Sequence, residues 1–295
     1  MNCRKPRCRR TRLLVLYLLG AWTFAFVPAQ ANADPTTQPA FWEKCVDALS
    51  PWESKIKSEQ LSTLISPPFV LVGDADRGVL QANLDGTIRS SSRALGAMYF
   101  KQQPTEPIVI FLFQTGDRYQ RLSKDWFHVD DPPHYGYCRS DGVMVMNIST
   151  GGGTLVHELV HALIKYDFPA APTWFNEGLA SLYEQSSLQP GKITGLKNWR
   201  LPALKQAITE QQLRALTELV ADKDFYDKQL AGLNYAQARY LLMYLQEKKL
   251  LVKFYADFRD SAPQDASGIE TLKKIIAPQT LEEFEKDWRE WVEGL

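Results

Sequence analysis

The chain has 295 residues, with 34 Lys+Arg balanced by 34 Asp+Glu, 45% hydrophobic residues and only four histidines. The length suits one large domain or two lobes around a cleft. A neutral balance excludes a nucleic acid or an anionic membrane held by bulk charge.

The first residues read as a targeting segment. Arg4, Lys5, Arg7, Arg9, Arg10 and Arg12 form a basic region, and Leu13 to Val27 is an apolar run too short for a typical membrane span. Ala31-Asn32-Ala33 then offers an A-x-A cleavage site before Asp34. Residues 1–33 are therefore expected to be a secretory signal peptide, with an uncleaved anchor as the competing reading. The chain is then exported, to a periplasmic or extracellular compartment, with no membrane insertion of the mature part. Removing these six basic residues leaves 28 Lys+Arg against 34 Asp+Glu, a net charge near −6. Cys3 and Cys8 leave with the signal. Cys45 and Cys138 remain, either as one disulfide or as two free thiols.

Residues 34–40 form a short polar leader, and 34–104 a helix/strand region. Phe41 to Ile65 has helical character broken at Pro51, and Pro67-Pro68 ends it. Phe69-Val-Leu-Val-Gly73 is an apolar, β-branched run and reads as a buried strand. Arg77 to Lys101 has uneven helical spacing. Pro107 to Phe113 gives the clearest strand, and Thr115 or Asp117 is placed to cap a helix running to about Trp126. His128 and His134 fall in a polar loop with Asp130 and Asp131. Without helical spacing to aim them, a solvated loop is favoured over a second metal site.

Tyr135 to Cys138 and Gly142 to Ile148 read as a hairpin, its second arm leading into Gly151-Gly-Gly153. That glycine run lacks G-K-[ST] and suits tight packing before a buried helix rather than a phosphate loop. The helix is Thr154-Leu-Val-His157-Glu158-Leu-Val-His161-Ala-Leu-Ile164. His157 and His161 lie four residues apart on one face, roughly 5–6 Å from each other. The remaining residues are apolar on all sides, so the helix is buried. Two imidazoles and a carboxylate inside it are costly unless paired, and a divalent cation pairs them. The H-E-x-x-H pattern supplies two metal ligands and a general base. The competing reading is a pair of core histidines satisfied by hydrogen bonds.

A third ligand is needed. Sixteen residues after His161 comes Glu177, in Trp174-Phe-Asn-Glu177-Gly-Leu-Ala-Ser181, at the start of a helix that Pro169 and Pro172 turn back beside the first. From Thr173 onward the chain reads as almost wholly helical. Leu233 to Gln246 shows i, i+3, i+4, i+7 spacing, and a final helix opens with the capping box Thr280-Leu-Glu-Glu283.

His-Glu-Leu-Val-His followed by Trp-Phe-Asn-Glu-Gly-Leu-Ala-Ser resembles the gluzincin zinc metallopeptidases. It is similar to the aminopeptidase N branch and to small exported peptidase MA-like proteins, over residues 105–295. The resemblance implies one zinc ion per chain held by His157, His161 and Glu177, with Glu158 as the base that activates water. It also implies a tyrosine near the start of a later helix. Tyr235, 58 residues beyond Glu177, fits that place, with Tyr240 and Tyr183 as rivals. The G-A-M-E-N stretch that binds a substrate's free amine in aminopeptidases is missing, so the resemblance assigns cleavage neither to chain ends nor to interiors. The expected fold is α+β: a small mixed sheet packed on the His157 helix, then a mainly helical lobe, with the metal between them. The expected function is a secreted zinc metallopeptidase acting on a peptide or protein, its substrate backbone pairing with the Gly142–Ile148 strand. The alternatives are an exported non-catalytic metal-binding or scaffold protein of the same fold, and a zinc amidase acting on a non-protein substrate.

Overall fold

The computed structural model describes residues 39–221 and 223–295. The expected signal peptide lies outside the described residues. The fold is α+β, as its pattern of apolar runs predicts.

The sheet is built around three central strands that are buried on both faces, with half-buried strands at its edges. Its order is β1 (Ser62–Ser66), β2 (Phe69–Gly73), β3 (Ile108–Phe113), β5 (Met144–Asn147) and β4 (Gly136–Cys138). β2, β3 and β5 run parallel, and the two edges are antiparallel, so the sheet is mixed. β2 pairs with β3 across the 104/105 boundary drawn from sequence.

Alternation along β3 divides the core. Ile108, Ile110 and Leu112 face one apolar cluster, whereas Val109, Phe111 and Phe113 face another. The second cluster is closed by α1 (Pro39–Asp47) and α5 (Gly116–Phe127), through Phe41, Tyr119, Leu122, Trp126 and Phe127. Thr115 caps α5, its hydroxyl accepting from Arg118 N–H. The first cluster holds α6 (Gly153–Asp167) and continues into the helical lobe. That lobe comprises α7 (Thr173–Tyr183), α8 (Leu201–Thr209), α9 (Leu216–Leu219), α10 (Ala231–Glu247), α11 (Leu251–Ser261), α12 (Ile269–Ile276) and α13 (Leu281–Gly294). The capping box forms as expected on α13.

Two expectations need correction, and one open alternative is decided. Residues 41–65 are not all helical. After α2 (Glu53–Ser58) the chain passes through Gln60 at φ +54° and enters β1, whose Leu64 is buried. Residues beyond Thr173 are not wholly helical either, for Ser186–Gln189 (β6) and Lys192–Gly195 (β7) form a hairpin. Cys45 and Cys138 are both free thiols. They pack on opposite faces of the sheet, Cys45 in the second cluster and Cys138 against the first, so no bond can join them. The uneven helix at 77–101 is α3 (Arg77–Asn83), a π turn over Leu84–Arg89 and α4 (Ser90–Met98).

Candidate metal centre

The site forms where α6 and α7 lie side by side. Gly153 opens α6 against the end of α7: a Cβ there would stand 2.4 Å from the Glu184 carbonyl oxygen. Close packing, expected of the whole glycine run, holds at Gly153 alone: a Cβ at Gly152 would make only ordinary contact with Thr87, and one at Gly151 would meet nothing within 4 Å. Phe168 to Pro172 reverses the chain, and α7 then returns to cross α10 at Gly178 and Ala238.

His157 and His161 project from one face of α6, ring centroids 4.7 Å apart. Glu177 meets them from α7. Its Oε2 lies 3.3 Å from His157 Nε2 and 3.5 Å from His161 Nε2. The same oxygen is buried and has no hydrogen-bond partner. One donor atom from each residue lies within 4.8 Å of the others. Donors held about 2.0–2.1 Å from one ion at tetrahedral angles stand roughly 3.3–3.4 Å apart. These residues therefore fit a divalent cation, and among the described residues they are the set of His, Cys, Asp and Glu side chains that could hold one.

The outer atoms of the imidazoles are also placed. His161 Nδ1 is 2.9 Å from Asn176 Oδ1, which suits an N–H donated outward and a lone pair turned inward on Nε2. His157 Nδ1 is 3.0 Å from Glu184 Oε1, although outside the angular range of a good hydrogen bond. Arg200 fixes Glu184 with two bonds to its carboxylate, of 2.6 and 3.2 Å. On the other side of Glu177, the Tyr226 hydroxyl donates to Oε1 at 2.7 Å.

The electrostatics favour positive charge. Burial alone would push the His157 imidazole down, but Glu177, Glu184 and Glu158 reverse this and raise it to about 10. Burial would raise the Glu177 carboxyl, yet His157 and His161 hold it well below the usual range. Three carboxylates that favour a proton on an imidazole favour a cation in its place.

Glu158 is buried and faces the cleft that contains His157, His161 and Glu177, a cavity of about 890 Å³. Tyr235 lines the same cleft from α10. Burial and then the Glu177 charge push its phenol well above its ordinary range, so it stays protonated. The rival tyrosines lie elsewhere. Tyr240 accepts from Asn198 N–H, and Tyr183 is buried against Tyr99 with their hydroxyls 2.5 Å apart. His128 sits at the left-handed end of α5, and the His134 ring stacks edge-on against Tyr135, so the 128–134 loop gathers no metal ligands.

The strand beside the cleft is β4, not β5. β5 is enclosed between β3 and β4, whereas Gly136, Tyr137 and Cys138 line the cavity. Asn147 N–H donates to Tyr135 O and Arg139 N–H to Val143 O, so alternate residues turn toward β5. Gly136 and Cys138 therefore direct their backbone N–H and C=O groups outward. Sequence reasoning missed Glu184, Arg200, Tyr226 and Trp199. Only Glu184 carried a signal, lying seven residues from Glu177 on one helix face.

Compared with known proteins, the chain matches no family model and no curated protein.

Proposed function

We propose that the chain is an exported zinc metallopeptidase that hydrolyses peptide bonds in a peptide or protein substrate. The observation that carries this reading is the buried Glu177 oxygen, without a hydrogen-bond partner, 3.3 and 3.5 Å from two imidazole nitrogens and beside a carboxylate that is not needed for ligation. Two imidazoles and one carboxylate are a donor set that suits zinc and leaves a position open.

Held by His157, His161 and Glu177, zinc would supply a Lewis acid that lowers the pKa of water toward neutrality. Glu158 would serve as the general base toward the attacking water and return the proton to the departing amine. Its buried position on α6, in the cleft and one residue from His157, brings it to the side of the ligands. Tyr235, held protonated, donates to the oxyanion as charge develops on it. Tyr226 and Asn176 restrain Glu177 and His161, while Arg200 and Glu184 restrain His157. The outward backbone groups of Gly136 and Cys138 pair with an extended substrate strand. Export rests on residues 1–33. No helix of the described residues is long and apolar enough to cross a membrane.

The test is elemental analysis of the purified mature chain together with activity on a mixed peptide library. About one zinc per chain is expected in the parent, with a clear loss in Glu177→Ala. Glu158→Gln is expected to keep the metal and to lose turnover by roughly 10²–10⁴-fold. A folded parent that takes up no zinc sinks the reading. Zinc with undiminished turnover in Glu158→Gln removes the assigned base.

A further inference from the structure

One residue on the cleft is out of keeping with its exposure. Trp199 leaves 71% of its surface to solvent and lines the cavity that holds the ligands. Single exposed apolar residues need no explanation. This one is mounted on a loop held at every residue around it. The Leu196 carbonyl accepts from the buried Arg239 guanidinium. Asn198 N–H donates to the Tyr240 hydroxyl at 3.1 Å, and Arg200 N–H donates to Asn198 Oδ1 at 3.0 Å. The Arg200 guanidinium lies 4.0 Å from the centre of the Trp199 ring and 5.3 Å from that of Tyr235. Both of its terminal nitrogens bond Glu184. A large flat side chain on a loop whose backbone is already fixed, with Arg200 against its ring, costs little backbone ordering when a partner covers it.

We propose that Trp199 is a specificity-determining residue that forms the wall of a side-chain subsite, selecting peptides with an aromatic or large aliphatic residue next to the cleaved bond. The inference rests on the peptidase reading above. Arg200 is occupied by Glu184, so the wall presents an indole face without a free cation to recruit an acidic side chain. Glu158, Glu177 and Glu184 in the same cleft oppose acidic residues as well. Tyr135, half-exposed, adds a second aromatic surface to the cavity. A peptide is favoured over a glycan, because the outward backbone of Gly136 and Cys138 borders the same space and matches an extended chain.

The experiment measures binding by calorimetry to the zinc-loaded mature chain and its variants Trp199→Ala and Trp199→Phe. The probes are acetohydroxamate, alanine hydroxamate and phenylalanine hydroxamate, the last two N-acylated. The parent is expected to prefer phenylalanine over alanine by roughly tenfold. Trp199→Ala is expected to lose that preference and Trp199→Phe to keep most of it, with acetohydroxamate affinity and thermal midpoint equal to the parent's in both. No preference in the parent overturns the proposal. So does an equal loss for all three probes in Trp199→Ala, which would make Trp199 a structural prop. Binding of an N-acetylglucosamine oligomer that disappears in Trp199→Ala while the peptide preference persists would replace the peptide subsite with a glycan platform. Metal analysis of the same samples separates the two readings. A parent without zinc refutes the metallopeptidase and the subsite together, whereas a zinc-loaded parent without the preference refutes the subsite alone.

Discussion

Replacing Gly153 with alanine tests whether the end of α7 is wedged against the start of α6. The added methyl carbon would stand 2.4 Å from the Glu184 carbonyl oxygen, below the 3.0 Å that real Cβ contacts essentially never breach. No side chain can swing away, because the obstacle is backbone. One helix end must retreat, and overpacking of this kind costs about 1–3 kcal/mol. The helical preference for alanine over glycine returns up to about 1 kcal/mol, less at a helix start. A net loss of about 1–2 kcal/mol is expected, which lowers the thermal midpoint by roughly 3–6 °C in a chain of this size. Gly152→Ala is the control, since its nearest neighbour would be Thr87 at 3.7 Å. Because one side of the wedge carries Glu184, which faces His157, and the other begins the helix of His157 and His161, Gly153→Ala should also weaken metal retention against a chelator, and Gly152→Ala should not. Scanning calorimetry of both variants decides. Equal midpoints for Gly153→Ala and the parent would refute the wedge.

Three further outcomes are expected. Glu184→Gln keeps the shape but removes the charge facing His157 and Arg200, and chelator competition should show metal binding weakened about 10–100-fold. Asp167 is buried, which alone would raise its carboxyl, but Arg259, the Gln102 and Lys101 N–H groups and the Tyr255 hydroxyl hold it low. A depressed carboxyl contributes stability that is present above its unfolded pKa, about 3.9, and fades as pH falls through its folded value. Asp167→Asn should therefore cost about 2–4 kcal/mol at pH 7, and denaturant titration should show the gap to the parent narrowing below about pH 4. Burial pushes both the Cys45 and the Cys138 thiols up to about 11, so neither should react quickly with a thiol reagent at pH 8 in the native chain. Both should react once the chain is unfolded, without a reductant.

The parts legible in the sequence were those encoded by local period. The i, i+4 histidines, the doubly buried β3 and the capped α5 and α13 follow from side-chain spacing and from groups that satisfy each other within one turn. The hairpin β6–β7 escaped because Ile193 and Gly195 are its only buried residues, although Pro190-Gly191 marked its turn. β1 was read as helix because Ser62 to Ser66 is short and follows a helical run. The strand at the cleft was misassigned for a different reason. Both arms of a hairpin look alike until the neighbour of one is known, and here β3 takes β5. Arg200, Tyr226 and Trp199 reach the site from loops, where spacing carries no direction. Glu184 alone could have been found, by following the face of α7 beyond Glu177.

The open side of β4 has a consequence for the behaviour of the protein in solution. An unpaired strand edge accepts any extended chain, including another copy of the same protein, and long flat edges seed aggregation. β4 is only three residues long, and the next residue, Arg139, pairs its side chain with Asp141 in the turn. The opposite edge, β1, is packed by α3. A three-residue edge offers too few hydrogen bonds to hold a second sheet, yet it can hold a strand that a neighbouring cleft also grips. Brevity thus separates capture of a ligand from self-association, and lengthening β4 would be expected to make the protein stickier before it made it a better binder.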